Sequence, residues 1–118
     1  MAKKITTLSN FTSGGTAFNL SNSAGLTVTG TVKDTGGTIT LTNTAGNLNI
    51  NGTLTAVTDS LVSAAKITEG TPGSVTATKI LNVTANTGIN LGSTHNHIKK
   101  VGTRKTNSGP NVITGIGM

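Results

Sequence analysis

Apolar and polar residues alternate along this chain in short runs, most cleanly from Phe18 onward. Phe18 and Leu20, then Leu26 and Val28, fall on one side of an extended backbone, with Asn19, Thr27 and Thr29 on the other. Alternate side chains of a strand take opposite faces, so the pattern predicts strands with one apolar face and one face of hydroxyls and amides. The pattern then repeats. Phe18-Asn19-Leu20-Ser21-Asn22-Ser23-Ala24-Gly25 is echoed by Ile39-Thr40-Leu41-Thr42-Asn43-Thr44-Ala45-Gly46. After one inserted residue, Asn47, Leu26-Thr27-Val28-Thr29-Gly30-Thr31-Val32 returns as Leu48-Asn49-Ile50-Asn51-Gly52-Thr53-Leu54. A period of about 21–22 residues is that of a solenoid.

Further copies are degenerate but recoverable. Gly52-Thr53-Leu54-Thr55-Ala56 reappears as Gly73-Ser74-Val75-Thr76-Ala77, and a fourth copy runs from Lys79 to Gly92. A Gly-[Ser/Thr] step recurs at Gly30, Gly52, Gly73 and Gly92, at intervals of 22, 21 and 19 residues. Ser60 to Ile67 has the look of a short helix, but its length and the breakers Gly70, Pro72 and Gly73 favour strand. Residues 1–15 form either a leading strand or a frayed terminus, and residues 16–94 the coils. Residues 95–118 are basic and irregular, with Val112-Ile113-Thr114-Gly115-Ile116 resembling the opening of a further coil.

No segment has a helical period, and every run is bounded by Gly or Asn. The expected fold is therefore all-β: a right-handed parallel β-helix of about four to five coils. Copies of a strand stacked in parallel, about 4.8 Å apart, set equivalent residues on top of one another. Leu20 then lies against Leu41, Val28 against Ile50, and Asn22 against Asn43, where amides can form a ladder. The expected interior comprises Phe18, Leu20, Leu26, Val28, Ile39, Leu41, Leu48, Ile50, Leu54, Leu61, Val75, Val83 and Leu91. Gly25 and Gly46 are expected to supply positive φ at the turns. Composition agrees: aromatics are 2% (Phe11 and Phe18) and charged residues 10%. A stack of coils needs only a few small aliphatics per turn, whereas a globular core with so few aromatics would be poor.

The turn [Ser/Thr]-Asn-[Ser/Thr]-Ala-Gly, followed by Leu-x-[Val/Ile]-x-Gly-Thr-[Val/Leu] and accompanied by Gly37-Thr38-Ile39-Thr40-Leu41, resembles the filamentous haemagglutinin-like adhesins. These are large secreted β-helical surface proteins of Gram-negative bacteria, among them the two-partner secretion and autotransporter-passenger groups. The resemblance covers roughly residues 16–93. It implies an extracellular or cell-surface location and an adhesive or structural role. The start Met1-Ala2-Lys3-Lys4 carries no complete signal peptide, and the chain is short for such a protein. A fragment of a longer solenoid, or a chain that associates end to end, is the expectation.

Charge adds one consideration. The net charge is +6, because acids are scarce (Asp34, Asp59 and Glu69) more than because bases abound. The basic cluster Lys99, Lys100, Arg104 and Lys105 has the charge to hold phosphates or an acidic glycan. It lacks the interleaved aromatics of single-strand binders, and it equally reads as a charged end that discourages further stacking. His95-x-His97 has the spacing to ligate a metal from one strand face, but no third ligand lies nearby in sequence and only Glu69 could stack close. Two outward polar residues is the plainer account. Asp34 and Asp59 are about one coil apart, which is conceivable for a glycosidase pair, yet both sit among Thr and Gly that predict turns. The sequons at Asn10, Asn19, Asn51 and Asn82 are expected in any chain so rich in Asn and Thr. There is no Cys, no run long enough to span a membrane, and no phosphate-binding or dinucleotide fingerprint.

The expectation is thus a non-enzymatic structural or adhesive module with a rigid Thr- and Asn-rich surface. It has no catalytic, cofactor or metal residues to assign and no small-molecule substrate, and its partner is an unidentified surface glycan or protein. The first alternative is an ice- or glycan-binding solenoid using Thr-x-Thr runs (Thr27/Thr29, Thr38/Thr40/Thr42, Thr53/Thr55, Thr76/Thr78). A basic nucleic-acid binder is the second.

Overall fold

The β-branched, alternating runs form strands throughout a computed structural model of the chain, which describes residues 5–15, 17–70 and 73–117. The Lys3-Lys4 start, the coil boundary at Thr16 and the Pro72 turn lie outside these residues. Among the described residues there is no helix, and Ser60 to Ile67 comprises two strand segments joined by a bend at Ala64-Ala65. The strands are β1 (Thr7–Leu8), β2 (Phe11–Ser13), β3 (Phe18–Asn22), β4 (Leu26–Val28), β5 (Thr31–Asn43), β6 (Leu48–Ile50) and β7 (Thr53–Ser63). They continue with β8 (Lys66–Glu69), β9 (Ser74–Ala85), β10 (Gly88–Leu91), β11 (His97–Ile98), β12 (Val101–Thr106) and β13 (Asn111–Ile113).

All pairings are parallel, and they build a β-solenoid of about five turns with a spacing of about 21 residues. One sheet has the order β1-β4-β6-β8-β10-β13. The other runs β2-β5-β7-β9-β11, with β3 also on β5 and β12 also on β9. The long strands β5, β7 and β9 pass through a corner. There the register slips, between Asp34 and Thr38 on one coil and between Ala56 and Thr58 on the next. Each coil therefore has three walls: a short one from the first sheet and the two arms of a long strand. His97 to Ile113 belongs to this stack, since β11 and β12 pair with β9, and β13 pairs with β10.

Inside, equivalent residues form rows. Leu26, Leu48, Ile67 and Ile89 line one wall, and Leu20, Leu41, Leu61 and Val83 another. Eleven of the thirteen residues expected inside are fully buried; Phe18 and Leu20 are only partly so. Both lie on β3, which among the described residues pairs with β5 alone. The core also takes Val32, Ala56, Ile67, Ala77, Leu81, Ala85, Ile89 and Ile98. Each fully buried Leu or Ile contributes roughly 1.5–3 kcal/mol, so the rows carry most of the stability.

Asn22 and Asn43 are in register, as the repeat implies, but their amides do not form a ladder. Asn22 accepts the Ile5 N–H and donates to the Ile5 and Ala24 carbonyls, while Asn43 donates to the Asn47 carbonyl. Both side chains point inward, where turn backbone that leaves the strand ladder needs partners more than another amide does. Asn residues act likewise between coils, at turns and, for Asn82, beside the irregularity between Val101 and Arg104 of β12. Asn10, Asn47 and Asn82 accept the backbone N–H of Thr31, Lys66 and Thr103 on the next turn.

The turn glycines divide their work differently from expectation. Gly46 has φ +79°, but Gly25, at the matching place, does not have positive φ. The Asn47 insertion makes the two turns unequal. A Cβ on Gly46 would come 2.6 Å from the Gly25 nitrogen, whereas one on Gly25 would find only ordinary contacts. We expect Gly46→Ala to lower stability by roughly 1–3 kcal/mol and Gly25→Ala to be near neutral. Urea unfolding of the two variants checks this, and equal effects would contradict it.

Candidate functional site

The outward positions form rows as regular as the inward ones. Thr31, Thr53 and Ser74 make one, and Lys33, Thr55, Thr76 and His97 the next. Past the corner come Asn19, Thr40, Ser60 and Asn82, then Ser21, Thr42, Val62, Thr84 and Lys105. On the first sheet Thr27 lies beside Asn49, which lies beside Thr68, and the Thr68 hydroxyl bonds the Asn49 amide oxygen. The surface is thus hydroxyl- and amide-covered, yet no row of the Thr-x-Thr set is Thr throughout.

The basic residues gather at the corner of the last coils. Lys79 turns that corner on β9. The Lys99 N–H bonds the Ala77 carbonyl and the Leu81 N–H bonds the Lys100 carbonyl, which sets Lys99 and Lys100 over it one coil on. Lys105 follows on β12 in the outward row of Thr84, while Arg104, in register with Val83, has the opposite parity; all five side chains are exposed. Arg104 is held in place: its Nε donates to Asn111 Oδ1 and its Nη2 to the Asn111 carbonyl, both at 2.7 Å.

The connection from the first sheet to the next wall is residues 29–30 and 51–52 on earlier coils and residues 92–96 on a later one. The longer loop borders a cleft of about 380 Å³ lined by Glu69, Gly70, Asn90, Gly92, Ser93, Thr94 and His95. Glu69 stands beside Ile50 in register. Its Oε1 accepts the Ser93 N–H at 3.0 Å and the Asn96 Nδ2 at 2.8 Å; its Oε2 is buried without a partner. Asn96, which the sequence reading did not single out, is a fully buried strut. It also accepts the Val75 N–H and donates to the Leu91 carbonyl. Its one sequence signal was its place in a Thr-His-Asn-His stretch that interrupts the repeat.

His95 lines this cleft with Glu69, but the two histidines do not share a strand face. His95 lies in the turn before β11, its N–H on Ser93 Oγ, while His97 opens the strand. Among the described residues no group of three His, Cys, Asp or Glu side chains is placed to hold a metal ion.

Asp34 and Asp59 do not lie in turns. Asp34 is in β5 beside Ala56, Asp59 is in β7 between Ile39 and Leu81, and both are 0% exposed. The strands run on through the corner, so the inward parity falls on these residues, and the Gly36-Gly37 pair that suggested a turn comes after Asp34. All four of their carboxyl oxygens are enclosed without a hydrogen-bond partner, out of reach of any polysaccharide. Burial pushes the Asp59 carboxyl well above the usual range. Burial also raises Glu69, against the hydrogen bonds from Asn96 and Ser93.

Raised folded-state values mean that both groups favour the folded state most when protonated. Their contribution is complete below the unfolded values, about pH 4, and is lost as pH rises through the folded ones. We therefore expect the urea midpoint to fall from acid to neutral pH. Asp59→Leu, continuing the Ile39 and Leu81 row, should stabilise the protein at pH 7 by on the order of 1–3 kcal/mol and remove most of this dependence. A flat profile in the unaltered protein would contradict the assignment.

Compared with protein-family models, with curated proteins and with solved structures, the chain finds no match.

Proposed function

We propose that this chain is a non-enzymatic structural module, a rigid rod segment whose outward rows make many weak contacts instead of filling one pocket. The observation that carries this reading is the register of largely hydroxyl- and amide-bearing rows, kept along each wall on either side of the slip at the corner. Side chains about 4.8 Å apart along a row and fixed by the backbone lose little freedom when they meet a partner. Repeated surfaces of this kind suit adhesion, because each contact is weak and their number sets the strength. With the resemblance of the repeat to the filamentous haemagglutinin-like adhesins, this favours a secreted or surface-exposed parent protein.

The enclosure of Asp34 and Asp59 supports the non-enzymatic part, and Glu69 is the one acid that borders a cleft. We expect no release of reducing ends when the protein is incubated with a panel of polysaccharides. Release by the unaltered protein that disappears in Glu69→Gln would overturn the reading.

Water ordering by the Thr runs is disfavoured by the mixed rows. Lys33 and His97 interrupt the Thr55/Thr76 row, and Asn49 stands beside Thr27. The expected thermal hysteresis of dilute protein is nil. A measurable freezing-point gap abolished by Thr40→Lys would replace the scaffold with an ice-binding face.

A further inference from the structure

The chain segregates its charges by sign. Asp34 and Asp59 are sealed in the interior, and Glu69 is half-buried with one carboxyl oxygen bonded to Ser93 and Asn96 and the other enclosed. Every side-chain carboxylate oxygen is thus accounted for away from the bases. Lys33, Lys66, Lys79, Lys99, Lys100, Arg104 and Lys105 are all exposed. Among the described residues the exposed Lys, Arg, Asp and Glu side chains are therefore all basic. Four of these seven, Lys79, Lys99, Lys100 and Lys105, share the corner and the adjoining outer wall of the last two coils, whereas Arg104 is in register with the inward Val83.

We propose that Lys79, Lys99, Lys100 and Lys105 form a docking surface for an acidic polysaccharide. This deepens the adhesive reading above and rests on it. Uncompensated cations held on a rigid wall attract a polyanion, because no neighbouring carboxylate has to be displaced and the wall does not have to be ordered first. Lysine ammonium groups are compact point charges on mobile stems, which suits carboxylates spaced along a flexible sugar chain. The exposed Thr78 and Thr103 hydroxyls lie among them as partners for sugar hydroxyls.

Nucleic acid fits the same corner less well. The two aromatics, Phe11 and Phe18, stack on each other on the first coil, remote from the bases, so nothing there receives an unstacked base. The fork of Arg104, the side chain best shaped for two-point phosphate contact, is already held by Asn111.

Binding of the full chain to polygalacturonate, neutral dextran and a DNA duplex, at low and high salt, tests the proposal. The expected result is binding to polygalacturonate that weakens as salt rises, with dextran not bound and DNA bound more weakly. Replacing Lys79, Lys99, Lys100 and Lys105 together by Gln should weaken polygalacturonate binding by at least roughly tenfold. Lys33→Gln with Lys66→Gln, away from the corner, should change it by less than about twofold, within ordinary surface effects. Unchanged thermal unfolding of both variants establishes that the coils are intact. Equal losses in the two variants would mean that net charge alone binds, and would overturn the patch. Tighter binding of DNA would overturn the polysaccharide assignment. Dextran binding as strong as that of polygalacturonate would overturn the charged corner while leaving the distributed-contact scaffold standing, whereas reducing-end release defeats the scaffold by itself.

Discussion

A residue on an inner coil is bounded by the residues at the same position on the coils either side, about 4.8 Å away, and the structure depends on keeping that register. Parallel pairing satisfies the backbone along the walls, so the interior has only to be filled row by row. This explains how an aromatic-poor chain sustains a core: Leu, Ile, Val and Ala in register leave no gap that needs a ring. It also explains where glycine is required. At Gly46 and Gly52 a side chain would meet the backbone of the coil beside it, at Gly25 and Gly30 respectively. At turns and beside the β12 irregularity, where the ladder lapses, Asn side chains take its place by accepting the N–H of the next turn.

The same constraint distributes charge. An inward position admits no solvent, so an acid placed there stays without water; at Asp59 burial raises the carboxyl and favours its neutral form. The strands bring Asp34 and Asp59 to such positions and Glu69 close to one, while the bases keep their ammonium and guanidinium groups outside. Asp59 and Glu69 are thus expected to make stability fall toward neutral pH, and the exposed Lys, Arg, Asp and Glu side chains among the described residues are all basic. One parity rule, inward or outward along a strand, produces both consequences.

Function on such a scaffold is a matter of surfaces. The walls repeat, and only the corners vary. The longer connection at residues 92–96 borders the Glu69–His95 cleft, while the last coils gather lysines at the opposite bend of the long strands. Variation confined to corners lets a solenoid carry distinct surfaces without disturbing its core, because loops there contribute little to the inward rows.

How much of this was legible in the sequence follows from what is local. The period, the parallel stacking and the inward rows from Leu26 to Leu91 were readable, because alternation and repetition are properties of neighbouring residues and copy themselves from coil to coil. The basic cluster was readable too, as composition. Side-chain parity at the corners was not. Asp34 before Gly36-Gly37 reads as a turn, and it becomes a buried strand residue only because β5 bends without ending. Asn96 became a strut, Glu69 and His95 became neighbours, and Lys79 joined Lys99 and Lys100, through contacts about one coil apart in sequence. Sequence alone determined the repeat because the same local pattern recurs. Only the stacked structure decided which polar residues are enclosed and which meet at a corner, because that depends on where each coil bends relative to the next.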